Sequence, residues 1–126
     1  MNLNQITIPS QDLDKSIPFY EKLGLKLIVH SHPRYARFEC PDGASTFSIH
    51  LVDELPKGEG IWIYFECKNL DAAIKELEAD NIEFEEQAND KPWLWREARL
   101  KDPDGNQLIL YHAGENRLNP PWRIKE

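Results

Sequence analysis

The chain has 126 residues and carries 22 acidic against 15 basic side chains, a formal charge of −7. That length holds one domain with a real core, and that charge argues against nucleic acid or an anionic membrane as the main partner. No basic stripe, phosphate-cradling glycine loop, signal peptide or apolar run approaching about 18 residues stands in it, so a soluble cytoplasmic protein is expected. Residues 3–9 alternate as a half-buried strand does, with Ile6 and Ile8 on one face and Gln5 and Thr7 on the other. A helix follows, and Pro18 constrains its start. Either Asp12 caps a first turn that kinks, or Ser16 caps a helix with Pro18 inside its first turn, where proline is tolerated. Ser16 is the expected cap. Three strands are predicted next, at 25–31, 34–41 and 45–52, with Pro41-Asp42-Gly43 as a tight turn whose glycine takes a positive φ.

Pro56-Lys57-Gly58-Glu59-Gly60 is a link too short to separate independent domains. Beyond it, 61–67 alternates again, with Ile61, Ile63, Phe65 and Cys67 opposite Trp62, Tyr64 and Glu66. Asn69 is placed to cap a second helix, whose apolar stripe is Leu70, Ala73, Ile74 and Leu77. Strands are predicted at 82–88, 93–101 and 106–112, with Pro103-Asp104-Gly105 as the last tight turn. The two cysteines, Cys40 and Cys67, lack metal or redox spacing and read as reduced thiols.

The second half thus repeats the first. Gln5 answers to Trp62, Leu13 to Leu70, Ile17 to Ile74 and Tyr20 to Leu77 at one constant spacing, and Pro41-Asp42-Gly43 to Pro103-Asp104-Gly105 at a slightly wider one. In the last strand of each half, Phe47, Ile49 and Leu51 match Leu108 and Leu110, and these are expected to pack under the helices. The opposite parity carries Ser48 and His50, then Gln107, Ile109 and Tyr111. With Gln5, Thr7, Trp62, Tyr64 and Glu66 these should line a concave side, joined by Trp93, Trp95 and Glu97 because Ala98 and Leu100 read as core. A polar set ringed by aromatics suits a small-molecule pocket.

Asp12-Leu13-Asp14-Lys15-Ser16 running into Phe19-Tyr20-Glu21-Lys22-Leu23-Gly24-Leu25, with Arg96-Glu97 and then Asp102-Pro103-Asp104-Gly105-Asn106, resembles the vicinal oxygen chelate superfamily of glyoxalases, bleomycin-resistance proteins and extradiol dioxygenases. The resemblance covers the chain from Leu3 to about Tyr111. It implies an α+β fold of two pseudo-symmetric βαβββ modules, about 1–55 and 60–115, forming an open cup in one domain over 1–115. It also implies a homodimer. Residues 116–126, with Leu118, Trp122, Ile124 and the Pro120-Pro121 pair, are expected to form an extended C-terminal arm.

In metal-using relatives the ligands sit on the first and last strands of each half, where this chain has Gln5, Ser48 or His50, Trp62 and Ile109. Tryptophan and isoleucine offer no donor, so a divalent metal is disfavoured and no cofactor is expected. Three readings follow. One is a metal-free binding protein of the bleomycin-resistance kind, with Gln5, Thr7, Ser48, His50, Trp62, Tyr64, Trp95, Glu97, Ile109 and Tyr111 contacting a small molecule. A second is a lyase, isomerase or dioxygenase, with a noncanonical metal site or none, in which His50 or Glu66 acts as general base. A third is a module whose cup is filled by its own side chains and whose role lies in dimer contacts. His50 reads equally as a histidine hydrogen-bonded within a half-polar pocket. His30 and His32 read as a solvated pair and His112 as a strand-end residue.

Overall fold

The computed structural model describes residues 1–125. Among them the chain forms two compact units, residues 1–60 with 102–106, and residues 61–101 with the chain from Gln107 onward. The first unit holds β1 (Gln5–Ser10), α1 (Leu13–Lys22), β2 (Lys26–Ser31), β3 (Tyr35–Glu39) and β4 (Thr46–Leu51) in a sheet of order β1-β4-β3-β2. The second holds β5 (Trp62–Glu66), α2 (Leu70–Ala79), β6 (Glu86–Asp90), β7 (Arg96–Lys101) and β8 (Gln107–His112) in the matching order β5-β8-β7-β6. In both sheets the outer strand that opens the unit runs parallel to its neighbour and the other pairings are antiparallel. A parallel pair cannot be closed by a hairpin, and the intervening helix and strands make the crossover. No helix of the described residues is long and apolar enough to cross a membrane.

Strand parity sorts the core. In the first unit Ile8, Phe38, Phe47 and Ile49 bury one sheet face against Leu13, Ile17 and Tyr20 of α1. The Tyr20 ring lies 4.6 Å from that of Phe47 and 5.9 Å from that of Phe38. In the second unit Ile63, Ala98, Leu100, Leu108 and Leu110 bury the corresponding face, with Leu70, Ile74 and Leu77 of α2 also buried. Leu51 was expected among these residues, but at the last position of β4 it is 37% exposed.

Asp12, not Ser16, caps α1. Its carboxylate accepts from Lys15 N at 3.3 Å, and its carbonyl takes Ser16 N at 3.2 Å, which already places Ser16 inside the first turn. The Ser16 hydroxyl is used elsewhere, shared with Ser10 at 3.2 Å and donated to Asp104 at 2.7 Å. Pro18 therefore falls in the second turn, and its missing N–H leaves one i→i−4 bond unmade without ending the helix. Asn69 caps α2, accepting from Ala72 N at 3.3 Å.

The strands before and after the second hairpin also begin later than periodicity suggests. Ile82 is buried, but the chain pairs only from Glu86, after a turn with Asn81 at φ 66°. Likewise β7 starts at Arg96, not at 93. Trp93 and Leu94 form the β6–β7 turn, with Leu94 at φ 68° and Lys91 N bonded to Trp95 O at 2.8 Å.

The turn Asp102-Pro103-Asp104-Gly105-Asn106 belongs to the first unit and is held to α1. The buried Asp102 carboxylate accepts from Tyr20 Oη at 2.6 Å, Asn106 Nδ2 at 2.8 Å, Asn106 N at 2.8 Å and Asp104 N at 2.9 Å. Asp104 accepts from Gln11 N at 2.8 Å as well as from Ser16. Gly105 takes φ 84°, a conformation that strains any residue with a Cβ. After β8, a short 3-10 helix (Gly114–Asn116) leads into turns, not one extended run. Arg123 folds back, its N bonding Pro120 O at 3.0 Å and its Nη1 bonding Leu118 O at 2.8 Å and Asn119 Oδ1 at 2.9 Å.

Candidate functional site

Each sheet has a second face, away from its helix, and the two faces differ in chemistry. In the first unit β1, β4 and β3 bring Thr7, Ser48 and Arg37 level, with Gln5 and Thr46 on one side and His50 and Tyr35 on the other. Ser48 is fully buried and forms the hub. Gln5 Nε2 donates to its Oγ at 2.8 Å, and the Tyr35 hydroxyl shares a hydrogen bond with it at 2.7 Å. Arg37 Nε donates to Tyr35 Oη at 2.9 Å. The Gln5 amide also donates to Thr7 Oγ1 at 3.1 Å and accepts from the Thr46 hydroxyl. Burial acts to raise the Tyr35 hydroxyl, but its bond to Ser48 and the Arg37 guanidinium bring it below the ordinary tyrosine value. His50 is exposed at the end of β4, opposite Tyr35.

In the second unit the face is aromatic. Tyr111 stacks on Trp95 with centroids 4.8 Å apart and planes at 27°, and Tyr64 meets both edge-on, at 5.5 Å from Tyr111 and 5.9 Å from Trp95. Ile109, Tyr111 and Ala113 are buried together with Trp95 packed against them, whereas Trp62 and Tyr64 are each 40% exposed. The Arg99 guanidinium lies 4.6 Å from the Trp62 ring centre. Glu97, 4% exposed, accepts from Trp93 Nε1 at 2.6 Å. Burial raises the Tyr64 hydroxyl, Glu97 adds to that, and Arg99 opposes it.

Glu66 closes one end of this face. Its Oε2 accepts from Ala113 N at 2.7 Å and Gly114 N at 3.0 Å, with Arg117 and His112 each 3.9 Å away. Burial would raise this carboxyl, but the two N–H groups and the neighbouring cations hold it below the ordinary range. Trp95 Nε1 donates to Asn116 O at 3.2 Å.

The structure therefore places Gln5, Thr7, Ser48 and His50 together on the first face, and Trp62, Tyr64, Glu66, Trp95, Glu97, Ile109 and Tyr111 together on the second. Tyr35, Arg37 and Arg99 join these faces and were not singled out in the sequence. The signal was there: 35 and 37 alternate with buried Ala36 and Phe38, and 99 shares the parity of 97. Among the described residues no three His, Cys, Asp or Glu side chains come together in a way that could hold a metal ion. Among the described residues neither Cys40 nor Cys67 forms a disulfide.

Two βαβββ units, each a four-stranded mixed sheet with one helix, define an α+β protein of the glyoxalase fold class. The model of the Glyoxalase/Bleomycin resistance protein/Dioxygenase superfamily matches residues 2–110, and the chain belongs to that superfamily. It is 28% identical over 109 residues to an uncharacterized protein of Mycolicibacterium smegmatis, covering 86% of this chain and 91% of that one. In fold it is similar to a lactoylglutathione lyase from Agrobacterium tumefaciens, with TM-score 0.74, 18% identity and coverage of 98% and 97% of the two chains. It is equally similar to a bleomycin-binding protein solved in complex with bleomycin, with TM-score 0.74, 18% identity and coverage of 89% and 98%.

Proposed function

We propose that this chain is a small-molecule-binding member of the superfamily that works without a bound divalent metal, its ligand lying on the aromatic face of the second unit. The observation that carries this reading is the pair of half-exposed rings, Trp62 and Tyr64, set beside the fixed Tyr111–Trp95 stack. Ring contacts contribute about 0.5–1.5 kcal/mol each beyond area burial, so two or three can support micromolar binding with modest polar help. The bleomycin-binding neighbour supports the idea that this fold serves such a role. Gln5, Thr7, Ser48 and His50 form a separate candidate polar surface on the first unit's own face.

The side chains at the family's ligand positions do not fit a divalent cation. Trp62 and Ile109 have no donor atom, the Gln5 amide is engaged by Ser48, Thr7 and Thr46, and the Arg99 charge beside Trp62 would repel a cation. Catalysis by His50 or Glu66 is the weaker reading, because Glu66 already accepts two backbone N–H bonds. We also read the protein as a cytoplasmic homodimer, supported by exposed Leu118, Trp122 and Ile124 near its C-terminus. Light scattering that returns monomer mass at high micromolar concentration would reject the dimer.

A thermal-shift screen of planar metabolites and antibiotics tests the main reading. Hits should lose about tenfold in affinity in Trp62→Ala or Tyr64→Ala. Hits that keep full affinity in both variants place the site elsewhere. Elemental analysis of protein purified without chelator should give well under one transition metal per chain, and about one per chain would overturn the metal-free part.

A further inference from the structure

Resting on that reading of the aromatic face, we infer that the ligand is an anion: a flat conjugated acid whose carboxylate is held by Arg99 while its ring lies against Trp62 and Tyr64. The charged side chains on this face are already engaged, with one exception. Glu97 is taken by the Trp93 indole at 2.6 Å. Glu66 is taken by the backbone of Ala113 and Gly114. Lys101 pairs with Glu85 at 3.4 Å. Arg99 differs. Its guanidinium lies over the Trp62 ring, 4.6 Å from the ring centre, yet among the described residues it makes no side-chain hydrogen bond and no ion pair within 4 Å. Glu86 lies across the strand pair from it, but that carboxylate is bonded to Lys91 Nζ at 2.5 Å and Asn89 Nδ2 at 2.7 Å. Arg96, on the other side of the same strand, shows the usual arrangement, bonded to Asp71 at 3.1 Å and Asp90 at 3.0 Å.

A guanidinium carries five N–H donors in a planar fork that matches a carboxylate, and contact with a ring face restrains where that fork can sit. Arg99 is half-buried, so part of its hydration has already been given up. Its backbone is held on both sides, paired with Ile109 of β8 and Glu86 of β6, so the fork stands on a rigid strand. A half-desolvated cation with unspent donors, next to two half-exposed rings, is the complement of an aromatic carboxylate.

The test titrates the full chain by calorimetry with three probes of one shape: 2-naphthoate, 2-naphthamide and 2-naphthylmethylammonium. The acid should bind about fivefold or more tightly than the amide, and the ammonium should bind weakest. Raising the salt from 0.05 to 0.5 M should weaken the acid and leave the amide unchanged. Arg99→Gln should bring the acid down to the amide's affinity, and Arg99→Lys should restore only part of the difference, since it keeps the charge without the fork. If acid and amide bind wild-type protein equally, or the acid's advantage survives Arg99→Gln, the anion assignment is overturned while the aromatic face stands. If none of the three binds at millimolar concentration, the face reading itself fails and the assignment goes with it. Should Arg99→Gln not fold, the order of the three probes on wild-type protein decides.

Discussion

Asp102 holds four hydrogen bonds with its two carboxylate oxygens, one of them from Tyr20, a hydroxyl that is itself fully buried. Burial raises the Asp102 carboxyl, and the donors from Tyr20, Asn106 and Asp104 only partly offset it. Glu66 goes the other way, because its donors and cations outweigh its burial. The two residues therefore tie stability to pH with opposite sign. A carboxyl whose folded value is raised contributes stability that is present below its unfolded value and fades as pH rises through the folded one. A depressed carboxyl contributes above its unfolded value and loses that contribution on acidification. Melting of wild type against Asp102→Asn should thus show the wild type gaining on the variant from pH 7 towards about pH 4. Against Glu66→Gln the wild type should lose ground below about pH 4.3. Matching pH trends for the two pairs would show that one local environment has been misread. Asp102→Ala, which strands the buried Tyr20 hydroxyl and two backbone N–H groups, should cost about 3 kcal/mol in denaturant melts.

Element ends were harder to read than element faces. Strand faces follow from a period of two, which is why Gln5 and Thr7, or Tyr64 and Tyr111, sort correctly from letters alone. The α1 cap did not, because both Asp12 and Ser16 are good capping residues. What decides between them is a bond from Ser16 to Asp104, 88 residues away in the chain. Asp12→Ala and Asn69→Ala should each cost about 1 kcal/mol as lost caps. The start of β7 was misread for a different reason. Leu94 occupies a left-handed turn position at φ 68° that no leucine announces, and it does so with its side chain 48% exposed. A β-carbon there costs about 1 kcal/mol. Leu94→Gly should therefore stabilise the protein by about that amount, since little burial is lost. A lower melting temperature for that variant would mean that the Leu94 side chain contributes packing that outweighs the strain.

The two halves keep one topology and one core pattern while their second faces have diverged, the first into a hydrogen-bonded polar network around Ser48 and the second into an aromatic surface around Tyr64. The repeat and the two sheets were legible because hydrophobic spacing is written in side chains. The use of Glu66 was not, since its partners are backbone N–H groups of Ala113 and Gly114, which carry no letter. That use gives the C-terminal segment a definite task within the second unit. Glu66 caps the short 3-10 helix, Arg117 stands 3.9 Å from its carboxylate, and Asn116 O receives the Trp95 indole N–H. A chain ending at Glu115 keeps the two backbone donors and loses both the indole acceptor and the cation. Its expected cost is about 1–2 kcal/mol, mostly from the half-buried Trp95 N–H left without a partner. Trp62 lies level with Gln107, at the far end of the register from Glu66, and Arg99 beside it is level with Ile109, so probe binding to these two should survive the truncation. The measurement is a melt and a titration on the same truncated protein. An unchanged melting temperature would show that the segment contributes nothing to the face. Binding lost along with only a small drop in melting temperature would move the ligand to the Trp95 and Glu66 end.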